Sequence, residues 1–138
     1  MNIDSLTDRV KGNEGFKSTV YQCSNGFLTI GYGSAIKDLN LSENVASAIL
    51  VEDLLKLVIK CHERFSWFRH MPDIVQEVIV EMCYQMGIVG FSEFQKTIKY
   101  FQNGEFILAS IEMLESKWAR TDSPSRAKRL SDLVANGV

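Results

Sequence analysis

The sequence predicts an α+β fold that is mostly α-helical, with one small sheet near the N-terminus and helices from there to the C-terminus. Two runs rich in β-branched and aromatic residues, 18–23 and 27–32, flank Asn25-Gly26, a strong hairpin signal. From Ser42 onward, apolar residues recur at the three- and four-residue spacing of helices. Strands followed by a run of helices are typical of folds that segregate the two classes.

A first helix is predicted before the sheet, from Asp4 to Asn13. Asp4 or Ser5 can provide its N-cap, and Gly15 is well placed to end it. This arrangement leaves Glu14 at the helix end. A side chain there can project into a cleft instead of lying along a solvated helix face.

The length of the hairpin loop decides which side chains share a face of the sheet. A two-residue Asn-Gly loop would place Cys23 opposite Leu28 and leave Thr29 on the other face. A three-residue Ser-Asn-Gly loop would pair Cys23 with Phe27 and make Thr29 its diagonal neighbour on the same face. We favour the three-residue loop because it joins the two polar groups at one site.

The rest of the chain is predicted to be helical. Ser42 opens a long amphipathic segment, which we interpret as the spine between a small sheet lobe and a helical lobe. The later predicted boundaries are Pro72 as a first helical residue, Gly87 and Gly104 as stops, Ser92 and Ser123 as N-caps, and Pro124 in the last helix's first turn.

These elements predict a single domain over residues 1–138. The sheet lobe is expected at about 14–41, and the helical lobe at about 65–138 together with the N-terminal helix. A groove between two such lobes is where ligands usually bind.

Composition and charge exclude several classes of function. A hydrophobic fraction of 46% and a charged fraction of 23% are ordinary for a globular protein and argue against disorder. The net charge of −2 gives no overall attraction to nucleic acid. The basic residues from Lys117 onward form a short patch without a nucleic-acid-reading motif, so no nucleic-acid partner is predicted.

The cysteines and histidines predict neither a disulfide framework nor a metal site. Cys23, Cys61 and Cys83 are odd in number and have no paired spacing, so reduced thiols are expected. Cys61 and Cys83 are interpreted as small core residues. With only His62 and His70 there is no recognisable zinc ligand set, and no cofactor is predicted.

The N-terminal stretch has no apolar core long enough for a signal peptide, and no stretch is predicted to insert into a membrane. We therefore expect a cytoplasmic protein, for which any role outside the cytoplasm requires a separate route.

Three segments occur in an order that resembles a known enzyme family. They are NEG…Y…NGFLTIGYG, then YQMGIVGFSEF, then SKWARTDSPSRAKR, and together they span about Asp4 to Leu130. The chain resembles the phage lysozymes, the glycoside hydrolase family 24 muramidases. The resemblance implies a two-lobed lysozyme-like fold and hydrolysis of the β-1,4 bond between N-acetylmuramic acid and N-acetylglucosamine in bacterial peptidoglycan. The join at about 34–41 is shorter than in many relatives, so a trimmed small lobe is expected.

The resemblance also implies catalytic roles for three residues. Glu14 matches the family's proton donor, and a general acid must keep its proton near neutral pH, which partial burial in a cleft favours. Cys23 stands where family members commonly carry an aspartate, and we interpret it as a substitute. Thr29 matches the threonine whose hydroxyl can position the attacking water. By residue type alone, Glu14 would be an ordinary helix-end glutamate and Thr29 a plain strand threonine.

Other matched positions would support the site. Gly31 and Gly33 would let the backbone lie close to substrate, or merely mark a bent strand. Arg126 matches an arginine that in the family approaches the catalytic glutamate and would hold its orientation.

Tyr84 and Gln85 fall where the helical lobe lines the family's sugar cleft. An aromatic ring beside an amide suits an N-acetylated sugar, although Tyr84 would equally suit a core. Trp118 is interpreted as a core anchor.

The implied partner is bacterial peptidoglycan, and the expected setting is a phage or prophage endolysin acting as a monomer. Such an enzyme would wait in the host cytoplasm until a separately encoded holin released it.

The alternative is a catalytically weak or inactive module with a lysozyme fold, which binds peptidoglycan or has a regulatory role. In that case Cys23 marks the loss of catalysis. A thiol redox protein is disfavoured because Cys23 has no resolving partner at Cys-x-x-Cys spacing.

Overall fold

The computed structural model describes all 138 residues. The chain divides into two compact units, Met1–Ala46 and Ser47–Val138, and each is described separately below. The division falls within one long helix, α2 (Glu43–Arg64), whose first turn lies in the first unit. The N-terminal helix falls in the first unit, and its predicted association with the helical lobe stays a prediction.

The first unit combines one helix with a small antiparallel sheet, in the strand order β1-β2-β3. Its elements are α1 (Ile3–Glu14), β1 (Lys17–Gln22), β2 (Leu28–Gly31), β3 (Ser34–Ala35) and a 3-10 turn (Ile36–Asp38). The predicted fold class is therefore confirmed, and each of the two predicted hairpin strands lies within about one residue of its expected position.

The predicted end of α1 is confirmed and its start lies one residue before the expected one, whereas the predicted N-cap is wrong. Asn2 is the N-cap, and its side-chain oxygen accepts a hydrogen bond from the Ser5 N–H at 3.0 Å. The helix therefore begins at Ile3, before the expected Asp4. Gly15, at φ 72°, follows the last helical residue, Glu14. Only glycine adopts this backbone conformation without strain, which is why the helix ends there.

The second unit is helical throughout. Beyond α2 its elements are a 3-10 turn (Phe68–His70), α3 (Asp73–Ser92), α4 (Gln95–Gln102), α5 (Phe106–Leu114), a π-helical turn (Trp118–Asp122) and α6 (Pro124–Asn136). Ser42 accepts a hydrogen bond from the Val45 N–H at 3.2 Å and caps α2 as predicted. Pro124 is the first residue of α6, also as predicted.

Of the two predicted N-caps in this unit, Ser92 is wrong, whereas Ser123 does occupy the N-cap position of α6. Gly87 does break the helical backbone, at φ 80°, but helical turns resume and α3 continues to Ser92. The Ser92 hydroxyl donates to the Val89 carbonyl oxygen at 2.6 Å instead of capping α4. Ser123 precedes α6 but makes no capping hydrogen bond with its side chain. Pro72 precedes the first helical residue of α3 instead of being that residue.

One core fills the second unit, and α3 supplies its centre. The fully buried residues of α3 include Val75, Ile79 and Met82. This helix is also long and apolar enough, by length and composition, to cross a membrane, unlike the sequence expectation that no stretch was. Its role in the core accounts for that apolar composition.

Aromatic side chains and the two buried thiols complete the core. Phe65 packs edge-on against Phe91 at 5.6 Å between ring centroids, and Trp118 is buried, as predicted. Cys61 and Cys83 are buried as expected, with their sulfur atoms 4.0 Å apart. The hydrogen bond that Cys83 shares with Cys61, and then burial, raise the pKa of the Cys83 thiol, which therefore keeps its proton.

Candidate active site

The Glu14 carboxylate lies against the backbone at Gly33. A Cβ atom at Gly33 would lie 3.1 Å from Oε2 of Glu14 and 3.6 Å from its Cδ. Gly33 also has φ 91°, a conformation that favours glycine. The end of α1 and the turn after β2 are thus brought together, with an exposed carboxylate between them. Among the residues of the first unit, no lysine or arginine forms an ion pair with Glu14.

The hairpin has the three-residue Ser-Asn-Gly loop. Gln22 pairs with Leu28 and Tyr21 with Thr29, so the next pair toward the loop is Cys23 with Phe27. The Cys23 N–H donates to the Phe27 carbonyl oxygen at 2.9 Å, which closes the ladder. The predicted register is confirmed, and Thr29 is the diagonal, same-face neighbour of Cys23.

Local hydrogen bonds favour the ionised form of Cys23. The backbone N–H groups of Asn25 and then Phe27 lower the pKa of the Cys23 thiol below its ordinary value, and the Thr29 hydroxyl adds a smaller effect. Partial desolvation opposes them without cancelling the shift. The donors come from the tight turn itself, which holds N–H groups around the sulfur.

Thr29 is the one buried residue of the first unit, with 4% of its surface exposed. Its hydroxyl donates its single proton to the Phe27 carbonyl oxygen at 3.0 Å, and its oxygen can still accept a hydrogen bond. Thr29 also contributes to lowering the pKa of the Cys23 thiol on the same face of the hairpin. Cys23 and Thr29 therefore act as one polar pair.

The remaining predicted residues lie in the second unit. Tyr84 is exposed on α3. Gln85 connects α3 to the turn before α6: its Oε1 accepts from Nε1 of Trp118 at 2.9 Å, and its Nε2 donates to Oγ of Ser123 at 2.5 Å. Each end of the amide keeps one hydrogen-bonding position free for a ligand. Gln85 thus has a structural role that the sequence did not reveal.

Arg126 is held by a carboxylate that sequence reasoning missed. Its Nε donates to Oε1 of Glu81 at 2.9 Å. Glu81 lies four residues before Gln85, so both side chains leave the same face of α3 toward the start of α6. That four-residue spacing was visible in the sequence, but the partner across the helix pair was not. We expected Arg126 to approach Glu14. Within the second unit, Arg126 instead forms an ion pair with Glu81.

A groove of about 580 Å³ in the second unit brings Tyr84, Glu81 and Arg126 together. Its lining also includes the apolar Leu50, Leu54, Val58, Phe68 and Val80 and the polar Asp73, Gln76 and Glu77. Two of the predicted site residues, Tyr84 and Arg126, therefore line one concave surface.

Most of the chain matches one protein-family model. The family model described as Phage lysozyme matches residues 11–135, nearly the full length. The chain belongs to the phage lysozyme family. The resemblance read from the three sequence segments is thereby confirmed.

Two relatives from Dictyostelium discoideum align over almost the entire chain. They are Probable T4-type lysozyme 1, at 23% identity, and Probable T4-type lysozyme 2, at 24% identity; each alignment covers 99% of this chain and 96% of the relative. Each alignment spans 165 positions against 138 residues here, so at least 27 positions (165 − 138) have no counterpart in this lysozyme-family chain. That the missing positions lie at 34–41, in the small lobe, stays a prediction.

The predicted site residues of this phage lysozyme family member lie in three groups. Cys23 and Thr29 form one polar pair on the hairpin. Glu14 stands against Gly33 in the same unit, and Gly31, at φ 72°, precedes that turn. The third group is the groove of the second unit.

Proposed function

We propose that this protein is a muramidase that hydrolyses the β-1,4 bond between N-acetylmuramic acid and N-acetylglucosamine in bacterial peptidoglycan. Family membership supports glycoside hydrolysis. The observation that carries the proposal is the arrangement of the first unit, where one helix end holds an exposed carboxylate and one hairpin holds a thiol and a hydroxyl on the same face. Glycoside hydrolysis requires a proton donor and a second group that handles water or the developing cation.

Glu14 is the proposed proton donor to the leaving oxygen. Its position at the end of α1 leaves the carboxyl free of helix-face neighbours, and the missing side chain at Gly33 gives it room. A positioned acid of this kind contributes on the order of 10²–10⁴-fold to a reaction rate.

Cys23 and Thr29 are the proposed second catalytic group, which acts on the attacking water or on the anomeric carbon. A thiol with a lowered pKa has a larger thiolate fraction at neutral pH, and a thiolate can accept a proton from water or attack the anomeric carbon. The Thr29 hydroxyl can orient the water through its free lone pair. In the first case the product anomer is inverted. In the second, a glycosyl–thioether intermediate is hydrolysed with retention.

The test is turbidity loss of outer-membrane-permeabilised Gram-negative cells. Wild type, Glu14→Gln and Cys23→Ala are compared, with Glu63→Gln as a matched control because Glu63 is an exposed glutamate of the second unit. We expect lysis by wild type and Glu63→Gln, and none by Glu14→Gln. Lysis by Cys23→Ala at the wild-type rate would remove the thiol from the mechanism. Folded wild type that binds peptidoglycan without lysis would identify a binding module instead.

We further propose that the protein is an endolysin, which reaches the cell wall from the host cytoplasm through a membrane pore formed by a holin. Expression in Escherichia coli with and without a pore-forming protein tests it. Lysis should require both proteins, and lysis by the enzyme alone would contradict this route.

A further inference from the structure

An exposed lysine–aromatic pair stands beside the candidate catalytic hairpin. The Lys37 ammonium lies over the ring of Phe27, with its Nζ 4.1 Å from the ring centroid. Phe27, the residue before β2, has 46% of its surface exposed. Phe27 is also the cross-strand partner of Cys23, so its ring emerges on the face of the hairpin that carries Cys23 and Thr29.

Two elements place the ammonium there. Lys37 lies in the 3-10 turn that follows β3, and β3 pairs with β2. The ring attracts the cation through its quadrupole, which limits the conformations of a side chain that is otherwise free to rotate. No carboxylate of the first unit forms an ion pair with Lys37, so its charge is available to a ligand.

We propose that Lys37 is a specificity-determining residue that binds a carboxylate of the glycan strand next to the bond that is cleaved. This inference rests on the proposed muramidase function. Peptide stems give peptidoglycan free carboxylates, whereas a plain polymer of N-acetylglucosamine has none. A lysine on the catalytic face therefore selects the anionic, peptide-bearing strand over a neutral one.

The test compares soluble peptidoglycan strands with the same strands after their carboxylates are converted to amides. The glycan and its linkages are identical in the two substrates, so only the charge differs. We expect wild type to cleave the untreated strands with a kcat/KM about fivefold higher than the amidated strands, which is the size of one exposed charge contact. Lys37→Met should abolish this preference through KM with little change in kcat, and Lys37→Arg should restore it.

Lys11→Met is the matched control. Lys11 also lies over an aromatic ring of the first unit, with its Nζ 5.4 Å from the Tyr32 centroid, but it belongs to α1 instead of the hairpin face. It should keep the wild-type preference. An equal loss in Lys11→Met would mean that overall positive charge sets the preference, and an unchanged preference in Lys37→Met would overturn the assignment.

A binding measurement separates this inference from the proposed function. Dissociation constants of both strand types are measured for Glu14→Gln with and without Lys37→Met. Tighter binding of the untreated strands that disappears with Lys37→Met supports the carboxylate contact even if wild type cleaves neither strand. Equal binding of the two strand types by Glu14→Gln would refute the contact, whatever the cleavage assay shows.

Discussion

The two units of this protein differ sharply in how much they bury. In Met1–Ala46 the one buried residue is Thr29, a polar side chain of the candidate active site. All of the buried apolar residues, from Cys61 to Val134, belong to the second unit. The unit with the candidate catalytic residues thus has almost no apolar core of its own, whereas the unit with the core supplies none of the three proposed catalytic groups.

This contrast separates what stabilises the protein from what would perform its chemistry. Burial of apolar surface dominates the free energy of folding, so most of that free energy comes from the second unit. Regions with few buried contacts open locally at low cost, and binding loops are commonly drawn from such regions. We therefore expect substitutions in the two units to affect different measurements.

The largest expected effect is on activity alone. Glu14→Gln should reduce kcat by about 10²–10⁴-fold because the amide cannot donate the proton. The midpoint of thermal unfolding should stay near that of wild type, since Glu14 is exposed. Activity assays and thermal unfolding are run on the same preparation. A large fall in the unfolding midpoint would mean that Glu14 stabilises the fold, and it would contradict the separation of catalytic and stabilising residues between the two units.

The next effect is on stability. Phe91→Ala removes a fully buried ring from the second unit and should lower the free energy of unfolding by about 3–5 kcal/mol. Phe27→Ala, its counterpart in the first unit, removes an exposed ring and should cost about 0.5 kcal/mol or less. Urea denaturation of both variants measures the difference. Equal losses would show that the first unit has a packed core after all.

The three cysteines give a further comparison. Cys23 should react with iodoacetamide in the native protein, whereas Cys61 and Cys83 should not react because they are buried. Since its pKa is lowered, the reaction of Cys23 should reach half its maximal rate at a lower pH in the native protein than in the urea-unfolded protein. Mass spectrometry of digested protein, labelled across a pH series, locates and quantifies the adducts.

The same shift has a defined sign for stability. The Cys23 thiol loses its proton at a lower pH in the native state than in the unfolded chain. The thiolate therefore contributes to the free energy of unfolding above the pKa of the unfolded state, and this contribution is lost as the pH falls through the pKa of the native state. The Thr29→Val variant should move the half-rate pH upward, because the hydroxyl no longer stabilises the thiolate. A half-rate pH in native wild type at or above that of the urea-unfolded protein would contradict the hydrogen-bonding assignment.

The smallest effect is expected for the ion pair of the second unit. Glu81→Gln should change the free energy of unfolding by about 0.2–1 kcal/mol, because both side chains are partly exposed. Its effect on activity tests whether Arg126 contributes to the reaction. A loss of kcat far beyond the change in stability would show that Glu81 positions Arg126, and no loss would leave the pair structural.

Local chemistry made part of this molecule predictable. Gly15 ends α1 through its own backbone preference, and the Ser-Asn-Gly loop fixes which residues pair across the hairpin. Both features depend on a few neighbouring residues, so the sequence suffices. The family likewise followed from three ordered segments, and the family match agrees with it.

Other features depend on packing between distant parts of the chain. Ser92 looked like an N-cap, but α3 continues through the Gly87 break because Phe91, on its last turn, is buried in the core. The π-helical turn at 118–122 follows from the attachment of Trp118 and Ser123 to Gln85, which lies more than thirty residues earlier. The Glu81–Arg126 pair spans a similar gap. Single-residue patterns do not encode such partners.

The hydrogen bond from the indole of Trp118 to Gln85 also provides an optical probe. The protein has two tryptophans, and Trp118 is the buried one, with its N–H held at 2.9 Å from an amide oxygen. We therefore expect its emission to be blue-shifted relative to a solvated indole and to change if that hydrogen bond is lost. In a Trp67→Phe background, a single fluorophore would follow the junction of α3, the π-helical turn and α6 in real time. An unlabelled sample could then show whether a glycan ligand loosens or tightens that junction.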